Sequence, residues 1–226
     1  MSIKENLTVV RERVAAAARR VNRSPDEIKI ISVTKTVPVE RIAEALAAGV
    51  TDLGENRVQE ALTKVAAFPQ ANWHLIGHLQ RNKVRDVVGK FSLIHSVDSE
   101  RLGRELGVRS AECGMKQNVL IEVNVSGEKT KYGITPEELI PLLHVISGFG
   151  SIQVQGLMTM APIVSDPELA RPYFARLREL SVQVKALDLP NVVMNYLSMG
   201  MSDDFEVAVE EGANLVRLGR AIFAKE

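Results

Sequence analysis

The 226-residue sequence has one cysteine and one tryptophan, and aromatic residues make up 4% of it. A lone thiol, Cys113, cannot close a disulfide within the chain, which excludes the disulfide-stapled scaffolds of small secreted proteins. The chain begins with a charged segment instead of a short apolar leader. We therefore expect a reducing, cytoplasmic environment.

The sequence also lacks net charge, since its 28 Lys and Arg residues equal its 28 Asp and Glu residues. Without a broad positive field, we expect neither a nucleic-acid partner nor a membrane partner. No apolar run approaches the roughly 20 residues that cross a bilayer. A neutral chain that is 46% hydrophobic is predicted to form one domain over residues 1–226, around one large core, and to be a monomer.

Apolar residues recur along the chain in two periods. Over Ile3–Val21 they fall three and four residues apart, which predicts a leading helix with one buried stripe. Ile28–Thr36 is a β-branched run of strand length, and Pro38 follows it at a helix start. The same alternation repeats to a last strand within Asn214–Phe223, so eight strand candidates are separated by seven helices.

Strands that alternate with helices pair in parallel, because the crossover helices cover the faces of the sheet. Eight evenly spaced units predict an α/β fold, a (β/α)8 barrel of the TIM type with an extra N-terminal helix. An open doubly wound sheet is the alternative. Barrels place their chemistry at the C-terminal ends of the strands, so the polar residues there are the candidates for a site.

Lys35 stands at the end of the first predicted strand. It shares a strand face with Ile31 and Val33, so its amine is predicted to rise from the core into the barrel mouth. In one interpretation the side chain extends to solvent or pairs with Glu55 or Asp98. In the other, desolvation keeps the amine neutral enough to attack an aldehyde.

The segments after the seventh and eighth predicted strands supply a hydroxyl, glycines and backbone amides. Barrels commonly bind phosphate at this place. The phosphate-site candidates are Ser198, Met199, Gly200, Gly219 and Arg220. In a second interpretation, Ser202 with the two aspartates after it is an ordinary helix N-cap, whose acidic turn would compete with an anion.

Arg217 shares a strand face with Leu215 and Gly219, so we expect it to point inward. A guanidinium there needs an anionic partner, and Glu122 is a candidate. The four histidines lack the spacing of a metal site, and no cysteine or carboxylate cluster accompanies them. No metal is predicted.

Six ordered motifs carry a resemblance to one family. They are VTKT at Lys35, GENRVQE from Gly54, WHLIGHLQRNK from Trp73, HSVDS from His95, GLMTMAP from Gly156 and LSMGMSDDFEVAVEEGANLVRLGRAIF from Leu197. The chain closely resembles the pyridoxal phosphate homeostasis protein family from near its N-terminus to its end. The resemblance implies that pyridoxal 5′-phosphate (PLP) forms a Schiff base with Lys35. It also implies that Ser198 and nearby amides hold the phosphate, and that Arg217 lies against the phosphate or the ring nitrogen.

The predicted cofactor-binding set also includes two strand-end residues, Asn56 and His78. By resemblance, the protein stores, buffers or delivers PLP without catalysis, and PLP-dependent apoenzymes are candidate recipients.

Two other functions fit part of the pattern. An amino-acid racemase is the alternative, because the family's barrel is similar to the N-terminal domain of alanine racemase. A racemase needs a second base opposite Lys35, and we expect no counterpart here of the domain that supplies it in that enzyme. A Schiff-base aldolase acting on a phosphorylated sugar fits the lysine and the phosphate site, but it fits the six motifs poorly.

Overall fold

The computed structural model describes residues 2–224. Its parallel strands close into a barrel in chain order, with the last strand paired to the first. The strands are β1 (Lys29–Val33), β2 (Asp52–Glu55), β3 (Asn72–Leu75), β4 (Leu93–Val97), β5 (Gln117–Glu122), β6 (Ile152–Met158), β7 (Val192–Ser198) and β8 (Leu215–Leu218). The predicted (β/α)8 barrel is confirmed, and closure of the sheet excludes the open doubly wound alternative.

Helices follow the strands around the outside of the barrel. The α-helices are α1 (Ile3–Arg20), α2 (Val39–Ala47), α3 (Val58–Ala67), α4 (Val84–Val87), α5 (Glu100–Glu112), α6 (Leu139–Ser147), α7 (Arg171–Lys185), α8 (Phe205–Glu210) and α9 (Arg220–Phe223). Short 3-10 helices lie at Pro25–Glu27, Arg81–Lys83, Pro136–Glu138 and Pro167–Ala170. Within residues 2–224, every helix is too short or too polar to traverse a bilayer.

The barrel interior changes from apolar to polar along the strands. A small apolar cluster inside it consists of Ile31, Leu93, Leu120, Met158 and Leu215. Two residues further along their strands, Glu122 follows Leu120 and Arg217 follows Leu215, and both are buried. Because side chains alternate along a strand, these charged groups share the inward face with the apolar cluster and lie nearer the C-terminal mouth.

The leading helix α1 supports the C-terminal segment of the chain. Asn6 Nδ2 donates a hydrogen bond to the Ile222 carbonyl at 2.9 Å, and Arg13 pairs with Glu206 at 2.9 Å. These contacts tie α1 to α9 and α8. The predicted extra helix therefore packs beside the elements that follow β7 and β8.

β1 and β8 end earlier than the sequence predicts. β1 ends at Val33, because the Thr34 carbonyl accepts a hydrogen bond from Lys64 at 2.7 Å and Thr36 takes a left-handed φ of 60°. β8 ends at Leu218, and the chain turns into α9 after Gly219. Lys35 consequently lies in a turn, and its direction is set by that turn, not by the strand alternation.

Candidate functional site

Lys35 lines a cavity of about 430 Å³ at the C-terminal ends of β1 and β8. Gly219 and Arg220 line the same cavity, and so does Arg41 of α2. The structure thus brings three predicted residues together. The Lys35 side chain is exposed, which agrees with the interpretation that it extends to solvent and not with the one in which its amine is desolvated.

A buried ion pair holds the turn that carries Lys35. Lys64 Nζ donates to Glu55 Oε1 and to the Thr34 carbonyl, each at 2.7 Å. The Thr34 hydroxyl donates to the same carboxylate oxygen at 2.6 Å. The side chains of Lys64 and Glu55 are 11% and 0% exposed, so water screens the pair little. Glu55, one of the two partners considered for Lys35, is thus paired with Lys64.

Sequence reasoning missed two cations at this side of the mouth. Lys64 lies on the buried face of α3 with Val58 and Ala61, at a regular spacing of three residues. A lysine on a buried helical stripe is the signal that could have identified it, because lysine is seldom buried without a partner. Arg41, whose guanidinium donates to the Phe223 carbonyl at 3.1 Å, carried no comparable signal.

The segments after β7 and β8 are joined by polar contacts. The Ser202 hydroxyl accepts a hydrogen bond from the Ala221 amide at 3.3 Å, and Asp203 pairs with Arg220. Asp204 accepts from the Met201 amide at 2.6 Å. Burial raises the pKa of Asp204, which that amide opposes. Ser202 therefore serves an amide of α9, not the start of α8, and the charge of Asp203 is offset by Arg220.

Gly200 shapes the first of these segments. Its φ is +91°, and a Cβ there would lie 2.6 Å from the Ala208 Cβ and 3.0 Å from the Phe205 Cα. Only glycine avoids both the contact and the backbone strain. The neighbouring Met199 is fully buried, and its amide donates to the Leu215 carbonyl at 3.2 Å, so its side chain and amide are engaged away from the cavity.

Arg217 is buried beneath the mouth, with 5% of its surface exposed. Its Nη1 donates to Ser198 Oγ at 2.6 Å, and its Nη2 donates to the Thr159 carbonyl at 2.9 Å. Burial lowers the pKa of Arg217 to about 10, while the charges of Glu122 and Asp204 oppose the shift. The guanidinium therefore stays positive at neutral pH. Glu122 acts on it through charge, and the hydrogen bonds go to Ser198 and Thr159.

Ser198 has two partners in the core. It is 0% exposed, and in addition to its bond with Arg217 its hydroxyl lies 2.9 Å from Nδ1 of His95. A phosphate contact would require this hydroxyl to leave one of them. The arrangement suits a residue that orients Arg217.

The other predicted residues lie apart from the Lys35 cavity. The His78 ring stacks on Tyr132 with centroids 4.0 Å apart, and its Nδ1 lies 3.1 Å from Asp98 Oδ2. Asn56 packs by its backbone on Gly77, where a Cβ would lie 2.3 Å from the Asn56 carbonyl oxygen. The structure therefore does not place Asn56 or His78 among the residues that line the cavity.

Glu122 lines a smaller cavity of about 170 Å³ together with Lys131 and Tyr132. Burial and repulsion from Asp98 raise the pKa of Glu122 to about 7, and the positive charge of Arg217 opposes the shift. Its carboxyl group can therefore gain or lose a proton near neutral pH. Sequence reasoning considered Glu122 only as an inward partner for Arg217.

The mouth suits an anionic ligand that carries an aldehyde. The Lys35 amine is a nucleophile of the type that attacks carbonyl carbon. Arg41 and Arg220 also line the cavity, and their guanidinium groups favour an anionic ligand, although Arg220 is already paired with Asp203. In residues 2–224, no three His, Cys, Asp or Glu side chains are grouped so that they could hold a metal ion.

Comparison with known proteins identifies relatives along the whole chain. The sequence profile of the alanine racemase N-terminal domain matches residues 4–226. The pyridoxal phosphate homeostasis protein of Aquifex aeolicus is 44% identical over 227 residues, covering 100% of this chain and 99% of that protein. The protein of the same name from Pseudomonas aeruginosa is 40% identical over 224 residues, covering 98% and 95%. The solved structure of PipY from Synechococcus elongatus with PLP bound has 34% identity and a TM-score of 0.85, over 99% of this chain and 100% of its own. This chain belongs to the pyridoxal phosphate homeostasis protein family.

Proposed function

We propose that this protein binds PLP as a Schiff base on Lys35 and holds it for storage, buffering or delivery to PLP-dependent apoenzymes, without catalysing a reaction on it. The observation that carries the proposal is an exposed amine in a cavity that Gly219 and Arg220 also line. The names of the homeostasis relatives and the PLP-bound PipY structure support it.

The cavity fits a phosphorylated aldehyde of the size of PLP. Its volume, about 430 Å³, lies in the range of roughly 300–1,000 Å³ that small-ligand sites occupy. We assign the phosphate to the end lined by Gly219 and Arg220, because backbone amides and a guanidinium both bind oxyanions. Arg41 is the second cation available to it.

Arg217 favours holding the cofactor over catalysis. When bound, PLP supplies an electron sink for reactions at the α-carbon of amino acids. Arg217 lies on the inward face of β8, two residues before Gly219 in the chain, and is positively charged at neutral pH. Next to the ring nitrogen, this charge disfavours a proton there, and the sink is weaker without that proton.

A racemase is the second candidate function, and the match to the alanine racemase N-terminal domain is the observation that favours it. Racemisation needs an acid–base group on the substrate face opposite Lys35. Tyr132, which is 59% exposed and stacked on His78, is the first candidate for that group.

Borohydride reduction tests the linkage, because it converts an imine into a stable secondary amine. Wild-type protein incubated with PLP, reduced and digested should carry one pyridoxyl-phosphate group per chain, on the peptide that contains Lys35. Lys35→Ala should lose both the visible imine band and the adduct. Its far-UV circular dichroism should not change, since the side chain is exposed.

Lys83→Ala is the matched control. It removes another lysine from the segment that follows a strand, here β3, and should leave the adduct on Lys35. A label found mainly on Lys83 or Lys131 would refute the site assignment. Absence of any imine band in the wild type would refute the proposed function itself.

A further inference from the structure

A chain of five buried side chains crosses the barrel interior from β2 to β8. Asp52 Oδ1 lies 3.0 Å from His74 Nε2, and His74 Nδ1 lies 3.0 Å from His95 Nε2. His95 Nδ1 lies 2.9 Å from Ser198 Oγ, which accepts from Arg217 at 2.6 Å. At the first residue, Asp52 lines a separate cavity of about 200 Å³ with Lys29 and Asn72, residues from the N-terminal ends of their strands. This series of hydrogen-bonded side chains thus connects the two ends of the barrel.

The donors and acceptors fit one direction along this chain. Arg217 can only donate, so Ser198 Oγ accepts from it and has one hydrogen left to donate to His95 Nδ1. His95 must then carry its proton on Nε2 and donate to His74 Nδ1. His74 in turn carries its proton on Nε2 and donates to the Asp52 carboxylate. Every member is satisfied when both histidines are neutral.

Burial supports the neutral form of the central member. His95 is 0% exposed. Desolvation lowers the pKa of His95 well below its usual range, and the positive charge of Arg217, like any proton added to neutral His74, opposes a second proton on His95. Asp52, at the other end, is stable as a carboxylate. Burial alone would raise its pKa, but hydrogen bonds from His74 and Thr51 outweigh burial, so that the pKa is lower than usual.

Arg217, at the other end of this series of side chains, has N–H groups that make no hydrogen bond to residues 2–224. Of the five N–H groups of Arg217, Ser198 and the Thr159 carbonyl take two, and we find no further hydrogen-bond partner for the guanidinium within residues 2–224. A 95% buried cation with unused donors is a group prepared for a ligand. The direction in which the Arg217 guanidinium points depends on its rotamer, which its hydrogen bond to Ser198 helps to fix.

We propose that Asp52, His74, His95 and Ser198 form a positioning chain that orients Arg217 toward bound PLP and thereby sets how tightly the cofactor is held. The identity of the ligand rests on the proposed function. His95 is the decisive member, because it alone bridges β4 to the opposite side of the barrel at β7. Asp52 and His74 act through it and are remote from the cofactor.

Nitrogen-15 NMR of the ligand-free wild type tests the direction of the chain without PLP. Long-range proton–nitrogen spectra distinguish the two neutral tautomers of histidine from the cation. We expect His74 and His95 to be neutral with the proton on Nε2. A proton on Nδ1 of His95, or a charged His95 at neutral pH, would overturn the positioning chain.

Two variants of His95 separate positioning from simple packing. In His95→Asn the shorter side chain places its amide near the former Nδ1, where it can still accept from Ser198. In His95→Gln the longer side chain places its amide near the former Nε2, toward His74, and Ser198 loses its acceptor. We expect His95→Asn to keep PLP affinity within about threefold. We expect His95→Gln to weaken it about tenfold, because Arg217 is then no longer oriented to donate its hydrogen bond to the ligand. A packing role would weaken both alike.

PLP affinity is measured by titration of the visible band, and unfolding in urea gives the stability of each variant for comparison. Equal affinities in the two variants would overturn the positioning chain while leaving the proposed function intact. Absence of PLP binding is read from the wild type before any variant is compared, and it would overturn the proposed function.

Discussion

Glu122 is the residue at the mouth whose titration can be measured directly in the stability of the protein. The pKa of its carboxyl is raised from 4.5 to about 7, chiefly by burial and then by Asp98. Because the folded-state pKa is the higher one, its stabilising contribution is complete below about pH 4.5 and is lost as the pH rises through about 7. Across this window the ionised carboxyl costs the folded state about 3 kcal/mol.

We therefore expect Glu122→Gln to become more stable relative to the wild type as pH increases. The difference in free energy of unfolding, variant minus wild type, should rise by about 3 kcal/mol between about pH 4.5 and 8. Urea unfolding of ligand-free protein at several pH values measures it. Glu44→Gln, at a carboxylate that is 59% exposed, should show no such rise. A constant difference in the Glu122 variant would contradict the assigned proton affinity.

The exposed Lys35 side chain stands on a turn that buried neighbours hold in place. The amine of Lys35 is exposed, while the groups that hold its backbone, Glu55 and Lys64, are buried. The amine is therefore free to meet a ligand, and the turn beneath it stays rigid because its hydrogen bonds are shielded from water.

At the scale of elements, the β1–α2 turn depends on the Glu55–Lys64 pair. Lys64→Met would leave the Glu55 charge unpaired in the core, where Glu55 Oε2 already has no hydrogen-bond partner among residues 2–224. We expect a loss of about 3–5 kcal/mol in the free energy of unfolding. Glu55→Gln combined with Lys64→Met should recover part of it, since no buried charge remains. Urea unfolding of the two singles and the double gives the coupling, and a Lys64→Met cost below about 1 kcal/mol would show that the pair is dispensable.

The turn after β7 should be intolerant of any side chain at Gly200. Gly200→Ala puts a Cβ against the Phe205 backbone and forces α8 to move. We expect a loss of at least about 2 kcal/mol, together with weaker PLP retention, because overpacking adds to the strain of a positive φ. Gly114→Ala is the control: its φ is +62° and no atom of the described residues 2–224 lies within 4 Å of the new Cβ, so only the backbone strain applies. Equal losses in the two variants would mean that the contact with α8 is unimportant.

At the scale of the whole molecule, the exposed amine of Lys35 and the buried guanidinium of Arg217 both lie toward the mouth of the barrel. With PLP bound, we expect no useful racemase, aminotransferase or decarboxylase turnover. A positioned acid–base group contributes about 10² to 10⁴-fold, and the candidate second base, Tyr132, stands on an exposed loop. The measurement is α-deuterium washout and change of chirality for a panel of L- and D-amino acids.

Trace exchange is compatible with this expectation, since bound PLP alone labilises an α-proton. Rates of about 1 s⁻¹ or above that are lost in Lys35→Ala would favour the racemase instead. In that event Tyr132→Phe should abolish the activity while leaving cofactor binding unchanged.

Much of the barrel was predictable because its signals are local. The alternation of two-residue and three-to-four-residue periods identifies each strand and helix without knowledge of its neighbours. Residues at strand ends, such as Lys35 and Gly219, could be assigned to one mouth because a barrel brings all its strand ends to the same side. Strand limits were less predictable: the end of β1 depends on Lys64, which lies 30 residues from the carbonyl that it holds.

The sequence by itself determined the fold class, the lysine and the glycines of the mouth, and the family to which the chain belongs. Only the tertiary structure decided which polar groups meet: Glu55 with Lys64, Asp98 with His78, and Ser198 with both His95 and Arg217. The physical reason is that propensity and periodicity act within a few residues, whereas a buried polar group is satisfied by whatever partner the closed barrel places within 3 Å or so of it. His95 and Ser198 are 103 residues apart in the sequence, so no local pattern predicts their contact. They meet only because β4 and β7 face each other across the core.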